Sequence, residues 1–198
     1  MSTETLQLLG MIAGAVVLVT LGIAVARFFN STNGIWSACA ARFGLTFEER
    51  TDGTEPAQRF TKSLTGEIDG VHVQVSYAKR EVDGARIRST HVQVKALAPQ
   101  AVRAAAVLRR GKGKGDLVVS TGDAAFDAIF ALSSGTPELV RGLLTPPVRA
   151  ALLRFPQVEL GIVYDQGDIT LSYADEPERQ DDLDAPISAA VALAQVRW

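Results

Sequence analysis

The chain has 198 residues, of which 47% are apolar and 21% charged, and its mean hydropathy is +0.14. This composition excludes a disordered protein, and a single cysteine excludes a framework of internal disulfides. Lys and Arg number 20 against 22 Asp and Glu, a net charge of −2. We therefore expect no nucleic-acid partner, because such proteins usually carry a strong positive field.

The apolar residues are concentrated near the N-terminus. After a short tail at residues 1–5, the segment from Leu6 to Ala26 has Gln7 as its only strongly polar residue. As a helix this segment would be about 31 Å long, which matches the ~30 Å hydrocarbon core of a bilayer. The sequence thus predicts a single transmembrane helix over residues 6–29, with Arg27 at the interface.

A cleaved signal peptide is the alternative interpretation, since Ala24-Val25-Ala26 has the spacing of a cleavage site. However, the tail has no Lys or Arg, and the apolar run exceeds the ~7–15 residues of a signal peptide, so an uncleaved anchor is favoured. Arg27 and Arg42 follow the span. The positive-inside rule therefore predicts that the C-terminal domain lies in the cytoplasm.

Gly10 and Gly14 form a G-x-x-x-G pair within the predicted span. Such a pair lets two helices approach closely, so self-association through this helix is one interpretation. The other is that glycine is simply common in membrane helices.

Residues 30–62 are predicted to form a juxtamembrane helix followed by a loop. Ile35 and Cys39 recur at helical spacing until Gly44, which is a typical residue to end a helix. The stretch from Glu48 to Phe60 is polar and contains glycine and proline, which favours a loop. Cys39 is expected to be a small buried group, because no partner for thiol chemistry lies nearby.

Residues 63–198 are predicted to form one domain that begins with a three-stranded meander. Asp69-Gly70 and Asp83-Gly84 are both typical of two-residue type I′ turns. With these turns the strands share one apolar face, and a slip of one residue would destroy the agreement. The expected pairs are Val71 with Ala96, Val73 with Val94, Val75 with Val92, Tyr77 with Thr90, Ile68 with Val71 and Leu64 with Val75.

The opposite face of this meander is polar and carries both histidines. Glu67, His72 and Lys95 fall in one row across the strands, and Ser76 lies beside His91 in another. Glu67 and His72 have the residue types of a base and its orienting carboxylate, but they also form an ordinary cross-strand pair. The second interpretation is favoured, since no nucleophile motif accompanies them.

The next segment is predicted to be a helix from Pro99 to Arg110, followed by a basic, glycine-rich loop. The loop lacks the spacing of a phosphate-binding loop, so ATP binding by that route is not supported. Its basic residues are candidates for contact with anionic lipid or with a partner, and a plain mobile loop is the alternative. These candidates are Arg109, Arg110, Lys112 and Lys114.

Charge is divided unevenly along the chain. Residues 79–114 carry ten Lys or Arg and two Asp or Glu, a net of +8, whereas residues 115–198 carry five and thirteen, a net of −8. The two stretches either neutralise each other within the fold or present a basic surface to the membrane.

Turn and helix signals continue after the basic loop. Asp123 and Asp127 are too few for a Ca²⁺ or Mg²⁺ site and are expected to cap and close a turn. Thr136-Pro137 and Thr145-Pro146 each predict a helix start. The second of these helices is expected to bury Val148, Leu152 and Phe155.

The chain is predicted to end with a hairpin and a helix. Gln166-Gly167 is the expected turn, pairing Tyr164 with Ile169 and Ile162 with Leu171. The acidic stretch that follows precedes a terminal helix with Ile187 on its apolar face. Acidic residues at a helix N-terminus complement the helix dipole, which outweighs a cation site as their explanation.

Several of these motifs together resemble those of a group of uncharacterised bacterial membrane-anchored proteins. The similar stretches are Gly66-Glu67-Ile68-Asp69-Gly70-Val71, Thr121-Gly122-Asp123 with Phe126-Asp127, and Leu143-Leu144-Thr145-Pro146 with the following helix. The resemblance covers most of residues 35–198 and implies a bacterial inner-membrane protein, with no activity attached.

The sequence as a whole predicts an α+β protein: a transmembrane helix, then an antiparallel sheet of a meander and a C-terminal hairpin covered by helices. We expect a non-enzymatic interaction or scaffold module with no catalytic, metal or cofactor site, whose partners are the bilayer and a protein. The alternative is a domain that binds anionic lipid or a small ligand. A hydrolase that uses His72 or His91 is a third hypothesis.

Overall fold

The structure is a computed structural model that describes residues 32–52, 59–82, 85–97, 102–111 and 118–197. Within these ranges the helices are α1 (Thr32–Phe43), α2 (Ala124–Ile129), α3 (Pro137–Leu143), α4 (Pro146–Leu153) and α5 (Gln180–Ala194). The strands are β1 (Thr46–Asp52), β2 (Arg59–Ile68), β3 (Val71–Val82), β4 (Ala85–Lys95), β5 (Arg103–Arg110), β6 (Val118–Val119), β7 (Phe130–Ser134), β8 (Glu159–Asp165) and β9 (Asp168–Ala174).

The predicted transmembrane helix, the alternative cleavage site and the pair Gly10 and Gly14 all lie outside the described residues. Of the helices that are described, none is both long enough and apolar enough to cross a bilayer.

All described strands form one antiparallel sheet in the order β1-β2-β3-β4-β9-β8-β5-β7-β6. The last hairpin, β8–β9, inserts between β4 and β5 and so joins the N-terminal meander to the rest of the sheet. The predicted α+β class, an antiparallel sheet with helices, is confirmed.

The meander has the predicted register. Val73 pairs with Val94, Val75 with Val92 and Tyr77 with Thr90, while Leu64 pairs with Val75. The Asp69-Gly70 turn has positive φ at both residues, +50° and +79°, as a type I′ turn requires. The second turn, Asp83-Gly84, lies outside the described residues, but the pair that flanks it, Val82 and Ala85, is in the expected register.

The C-terminal hairpin is also confirmed. Tyr164 pairs with Ile169 and Ile162 with Leu171. Gln166 and Gly167 have φ of +52° and +92°, which is again the conformation of a type I′ turn.

The prediction of a helix from Pro99 to Arg110 was wrong, because the described part of this segment is strand β5. Alternate residues Ala104, Ala106 and Leu108 are buried, and β5 lies between β7 and β8. Alanine-rich sequence has a high local helix propensity, but hydrogen bonding to strands on both sides outweighs that preference here.

The prediction of a loop from Glu48 to Phe60 was wrong at both of its ends. Residues up to Asp52 belong to β1, and β2 already begins at Arg59. Strand β1 lies at one edge of the sheet, and its charged residues are typical of an edge that is protected from pairing with other chains. Phe47 turns inward and stacks on Trp36 at 6.0 Å between ring centroids.

Helix α1 was predicted correctly and is built into the core. Ile35, Trp36 and Cys39 are buried. The helix ends at Gly44, whose φ is +68°, and the Leu45 amide donates to the Ala40 carbonyl at 2.9 Å. This is the Schellman arrangement that a glycine after the last turn allows.

The two short helices α3 and α4 begin at their predicted prolines, with Thr136 and Thr145 at the cap positions. Val148, Leu152 and Phe155 are buried, as expected. A proline is favourable in the first turn of a helix because its missing N–H would have no partner there.

Helix α5 lies across one face of the sheet, against β3, β4 and β9, and also packs on α1 and α4. Leu183, Ile187 and Leu193 are almost completely buried. The helix contains Pro186, which removes one helical hydrogen bond to the carbonyl of Asp182. That carbonyl accepts a 2.7 Å hydrogen bond from the hydroxyl of Tyr173 instead.

Candidate interaction surface

In the part of the chain that the structure describes, the helices cover one face of the sheet and leave the other face uncovered. Leu64, Val75 and Val92 point toward the helices and are completely buried. The residues that alternate with them on the same strands are exposed or half-buried. Because successive side chains on a strand point to opposite faces, these alternate residues form the second face, which we call the open face.

The centre of the open face carries no formal charge when histidine is neutral. Two neighbouring rows of side chains cross the sheet at right angles to the strands. The first row is Ser63, Ser76, His91, Ser172, Gly161, Val107 and Ser133. The second row is Thr65, Gln74, Gln93, Thr170, Val163 and Ala105. Most of these side chains are small and able to donate or accept a hydrogen bond.

Two shallow grooves follow β4 and β9 along the open face. The groove beside Gln93 and Thr170 has a volume of about 340 Å³, and the groove beside His91 and Ser172 has a volume of about 540 Å³. The floor of the second groove includes Gly161, where a side chain would approach Ser172 Oγ to 2.9 Å. Both grooves run along β4 and β9, and a further groove of about 450 Å³ lies beside Ala105 and Val163 on β5 and β8.

The histidines lie on the open face, as the sequence predicted, but neither has the surroundings of a catalytic base. His72 faces Glu67, and His91 lies between Ser76 and Ser172 in its row. Within the described ranges, however, no side-chain hydrogen bond or ion pair involves either histidine. A serine nucleophile needs a base within hydrogen-bond distance, so the geometry does not support the hydrolase hypothesis.

The predicted basic contact residues fall partly outside the described ranges, since Lys112 and Lys114 are not included. Arg109 forms an ion pair with Glu159 at 2.7 Å. Arg110 donates to the carbonyl of Phe155 at 2.5 Å, and its guanidinium lies 5.0 Å from the centre of the Phe130 ring. Both arginines therefore already have partners within the domain.

The uneven charge of the chain is partly balanced inside the sheet. Arg103 pairs with Asp165 at 2.8 Å, just as Arg109 pairs with Glu159. These contacts join the basic strand β5 to its acidic neighbour β8. At this point the basic and acidic stretches thus neutralise each other across two adjacent strands.

Asp123 and Asp127 have the structural roles that the sequence predicted. Asp123 caps α2 by accepting from the amides of Ala125 and Phe126, and it also accepts from Arg149 at 2.9 Å. Hydrogen bonds from these donors hold the pKa of Asp123 below its usual value. The pKa of Asp127 is also lowered: burial raises it, but hydrogen bonds from Thr121 and Ser120 outweigh that effect. In the described part of the chain no cluster of His, Cys, Asp or Glu is suited to a metal ion.

Two ion pairs, each with one buried member, were not found from the sequence. Asp184 in α5 is completely buried and accepts from Arg42 in α1. Burial raises the pKa of Asp184, although the Arg42 charge opposes the shift, and burial likewise raises the pKa of the neighbouring Cys39 thiol. No signal in the sequence marks Asp184, because it lies within an acidic stretch whose other members are mostly exposed.

The second of these ion pairs joins the meander to the loop after β9. Lys62, which is 3% exposed, donates to Glu176 at 2.8 Å. Burial and the nearby Glu176 charge raise the pKa of Tyr77 to about 12. Lys62 falls in the predicted loop that ends at residue 62, so its inward position in β2, where a lysine needs a partner, was not foreseen.

Comparisons with known proteins identify no family. No family model and no curated protein matches the chain. Among solved structures, the chain is similar to the mycobacterial trehalose monomycolate transport factor A, TtfA, at 11% identity and a TM-score of 0.43. The similarity covers 83% of this chain and 95% of that chain. This TM-score is too low to establish a common fold, and no function is transferred.

Proposed function

We propose that this protein is a membrane-anchored, non-enzymatic interaction module. Its predicted span holds the α+β domain at the cytoplasmic side of a bacterial inner membrane, and its open face binds a partner protein. The observation that carries the proposal is the open face itself, a broad surface that the helices leave uncovered and whose central rows are neutral and polar.

The chemistry of the open face favours a protein over other partners. The centres of protein interfaces are depleted of charged residues, as the two central rows are. A nucleic acid or a headgroup layer would require unpaired basic side chains, but Arg103 and Arg109 at the margins of the face pair with acids. Acyl chains would require an apolar surface, but the large apolar side chains that are clearly exposed on this face, Val163 at 46% and Ile87 at 51%, lie on β8 and β4 with β9 between them.

The size of the open face also suits a folded partner. Strands lie about 4.8 Å apart and rise about 3.3 Å per residue, so the six strands from β2 to β5 offer roughly 25 Å by 20 Å. The flat area of about 500 Å² is that of a small interface, since a standard interface buries about 800 Å² on each partner. Lys95 and Asp168 lie opposite each other at one end of the grooves, where they can fix the orientation of the partner.

The test is site-specific photo-crosslinking in intact cells. A photoreactive amino acid at Gln93, in the first groove, should give one discrete adduct with another membrane-associated protein. The same group at Ala150, which is exposed on α4, is the matched control and should not give that adduct. Adding Thr170→Arg should abolish the Gln93 adduct because it places a charge in the neutral centre, while Ala150→Arg should leave the adduct intact.

Three results would contradict the proposal. The first is identical adducts from Gln93 and Ala150, and the second is a Gln93 adduct that persists with Thr170→Arg. The third is an adduct that contains only a second copy of this chain, or only lipid.

Self-association through Gly10 and Gly14 is a separate prediction, tested by replacing both glycines with isoleucine and measuring crosslinked dimers in membranes.

Lipid binding through the basic loop is the alternative function. Arg109 is paired with Glu159, and Arg110 contacts the Phe155 carbonyl and the Phe130 ring. Binding a headgroup would require each arginine to give up these contacts, which disfavours this alternative. If Arg109→Gln with Arg110→Gln weakened the binding of the protein to anionic vesicles, the alternative would gain support.

A further inference from the structure

The groove of about 450 Å³ beside β5 and β8 is bounded by small residues. Ala105 and Val163 lie directly opposite each other on the two strands, and Gly135 follows in the turn after β7. A Cβ added at Gly135 would have no atom within 4 Å beyond its neighbours in the chain. Among the described residues this groove is therefore unfilled, and we call it the β5–β8 groove.

The β5–β8 groove exists because β7 is shorter than β5. Pairing of β7 with β5 stops at Ser134, opposite Ala106, and the chain then turns away into α3. Residues 103–105 pair with β8 on one side and, in the part of the chain that the structure describes, have no strand on the other. The Ser134 hydroxyl donates to the Ala105 carbonyl at 2.7 Å, which fixes the end of β7. A short free strand edge of this kind is a place where an extended segment of another protein can lie.

The side chains of the open face change from polar to apolar between β9 and β8. From β2 to β9 the two central rows carry hydroxyl, amide and imidazole groups, such as those of Gln93 and Thr170. On β8 and β5 the same rows carry Gly161, Val163, Ala105 and Val107. Val163 is 46% exposed and borders the β5–β8 groove. An apolar group placed there would remove apolar surface from water on both sides of the contact.

The charges nearest to the β5–β8 groove neutralise each other. Arg103 and Asp165 border the groove and form an ion pair at 2.8 Å. A charged group entering the groove would lose hydration and would have to compete with this pair for a partner. The groove therefore fits a neutral, apolar group better than a charged one.

The size of the open face is a further reason to expect such an anchor. Its flat area of about 500 Å² is small for an interface, so a few side chains buried in pockets would have to supply most of the affinity. Of the three grooves on this face, the β5–β8 groove has the most apolar lining. The two grooves on β4 and β9 are bordered by polar groups such as Gln93, His91 and Lys95.

We propose that the partner protein anchors itself by placing one large aliphatic or aromatic side chain in the β5–β8 groove. This side chain belongs to an extended segment of the partner that runs beside residues 103–105. The inference rests on the proposed function, because it concerns the same partner and the same face. The polar rows on β4 and β9 then provide hydrogen bonds and orientation.

The first experiment places a photoreactive amino acid at Gly135 of the full chain in intact cells. It should give the same adduct as the photoreactive amino acid at Gln93, while the one at Ala150 should not. Mass spectrometry of the Gly135 adduct should map the crosslink to within about three residues of a Leu, Ile, Phe, Tyr or Trp of the partner.

The second experiment measures the yield of the Gln93 adduct in variants of the groove, relative to the amount of chain in the membrane. Val163→Thr keeps the shape and the strand preference of the residue but replaces a methyl group by a hydroxyl, and it should lower the yield about threefold or more. Val158→Thr changes a valine that is 72% exposed outside the groove and should leave the yield unchanged.

A third variant fills the β5–β8 groove with a side chain of this chain. Gly135→Phe should lower the yield of the Gln93 adduct about tenfold or more, because the partner's side chain can no longer enter. Ala150→Phe adds the same side chain on the exposed surface of α4 and should have no effect.

The anchor requires a loss of yield in both Val163→Thr and Gly135→Phe. A Gln93 adduct whose yield either variant leaves unchanged would overturn the anchor and leave the interaction module standing. A Gly135 crosslink that maps to a segment without a large apolar residue, or only to lipid, to a second copy or to this chain itself, would also overturn it. If Gln93 gives no adduct at all, the proposed function and the anchor are both wrong.

Discussion

The hydroxyl of Tyr173 in β9 donates a 2.7 Å hydrogen bond to the backbone carbonyl of Asp182 in α5. In a regular helix that carbonyl would accept from the amide of residue 186, but Pro186 has no N–H. The bond therefore satisfies a buried acceptor and ties the last hairpin to the helix that covers it.

Removal of this hydroxyl should destabilise the protein more when Pro186 is present than when it is absent. Tyr173→Phe is expected to lower the free energy of unfolding by about 1–3 kcal/mol, because a buried carbonyl loses its donor. In a Pro186→Ala background the restored amide can donate to that carbonyl, so Tyr173→Phe should cost about 1 kcal/mol less. Urea denaturation of the four variants measures the difference. An equal cost in both backgrounds would show that Pro186 does not create the need for this bond.

Loss of the Arg42 side chain should weaken the contact between α1 and α5 and destabilise the protein. The Asp184 side chain is 0% exposed and that of Arg42 is 55% exposed. Arg42→Ala is expected to cost about 2 kcal/mol, less than a fully buried pair because solvent reaches the arginine. Arg50→Ala, which breaks the exposed pair with Glu48, should cost less than about 1 kcal/mol. Denaturation curves give the free energy of unfolding of both variants, and equal losses in Arg42→Ala and Arg50→Ala would contradict a special role for Arg42.

Asp184 should make stability fall as pH rises. Burial raises its pKa, so the folded state binds this proton more tightly than the unfolded state. The free energy of unfolding therefore declines as pH rises from the unfolded value of about 3.9 through the raised folded value. Relative to wild type, Asp184→Asn should gain stability as pH rises above the unfolded value of about 3.9. Denaturation at several pH values measures this trend.

Asp123 is a control for that pH series, because its effect on stability should change with pH in the opposite direction. Hydrogen bonds lower its pKa, so its contribution to stability is present above the unfolded pKa and is lost as pH falls through the folded value. Relative to wild type, Asp123→Asn should lose stability as pH rises. If both variants changed in the same direction, the assignment of the two carboxylates would be wrong.

Two strand glycines should respond differently to alanine. A Cβ at Gly66 would lie 2.8 Å from Leu45 Cδ2 and 3.4 Å from Leu45 Cα, in the buried core. Gly66→Ala is therefore expected to cost about 1–3 kcal/mol through overpacking. At Gly161 the close atom is Ser172 Oγ, which can rotate toward solvent, so Gly161→Ala should cost less than about 1 kcal/mol. Thermal unfolding measures the loss of stability in each variant, and a larger loss in Gly161→Ala than in Gly66→Ala would refute this account.

The hairpins and helix ends were predictable because their causes are local. Asp69-Gly70 and Gln166-Gly167 permit the positive φ of their turns, and the alternation of apolar residues then sets a register such as Val75 with Val92. Gly44 ends α1 for a similar reason. Where the prediction rested on local preference alone it was wrong: the alanines of β5 predicted a helix, and the polar residues of the edge strand β1 predicted a loop.

The sequence by itself determined which side chains share a face, because the period of a strand and the chemistry of a turn act over a few residues. Only the tertiary structure decided which strands are neighbours: it inserts β8 and β9 between β4 and β5 and thereby makes the two neutral rows of the open face continuous. It also decided that Asp184 is buried against Arg42, although the two residues are far apart in the chain. Such contacts depend on non-local burial and pairing, whose energies no short stretch of sequence contains.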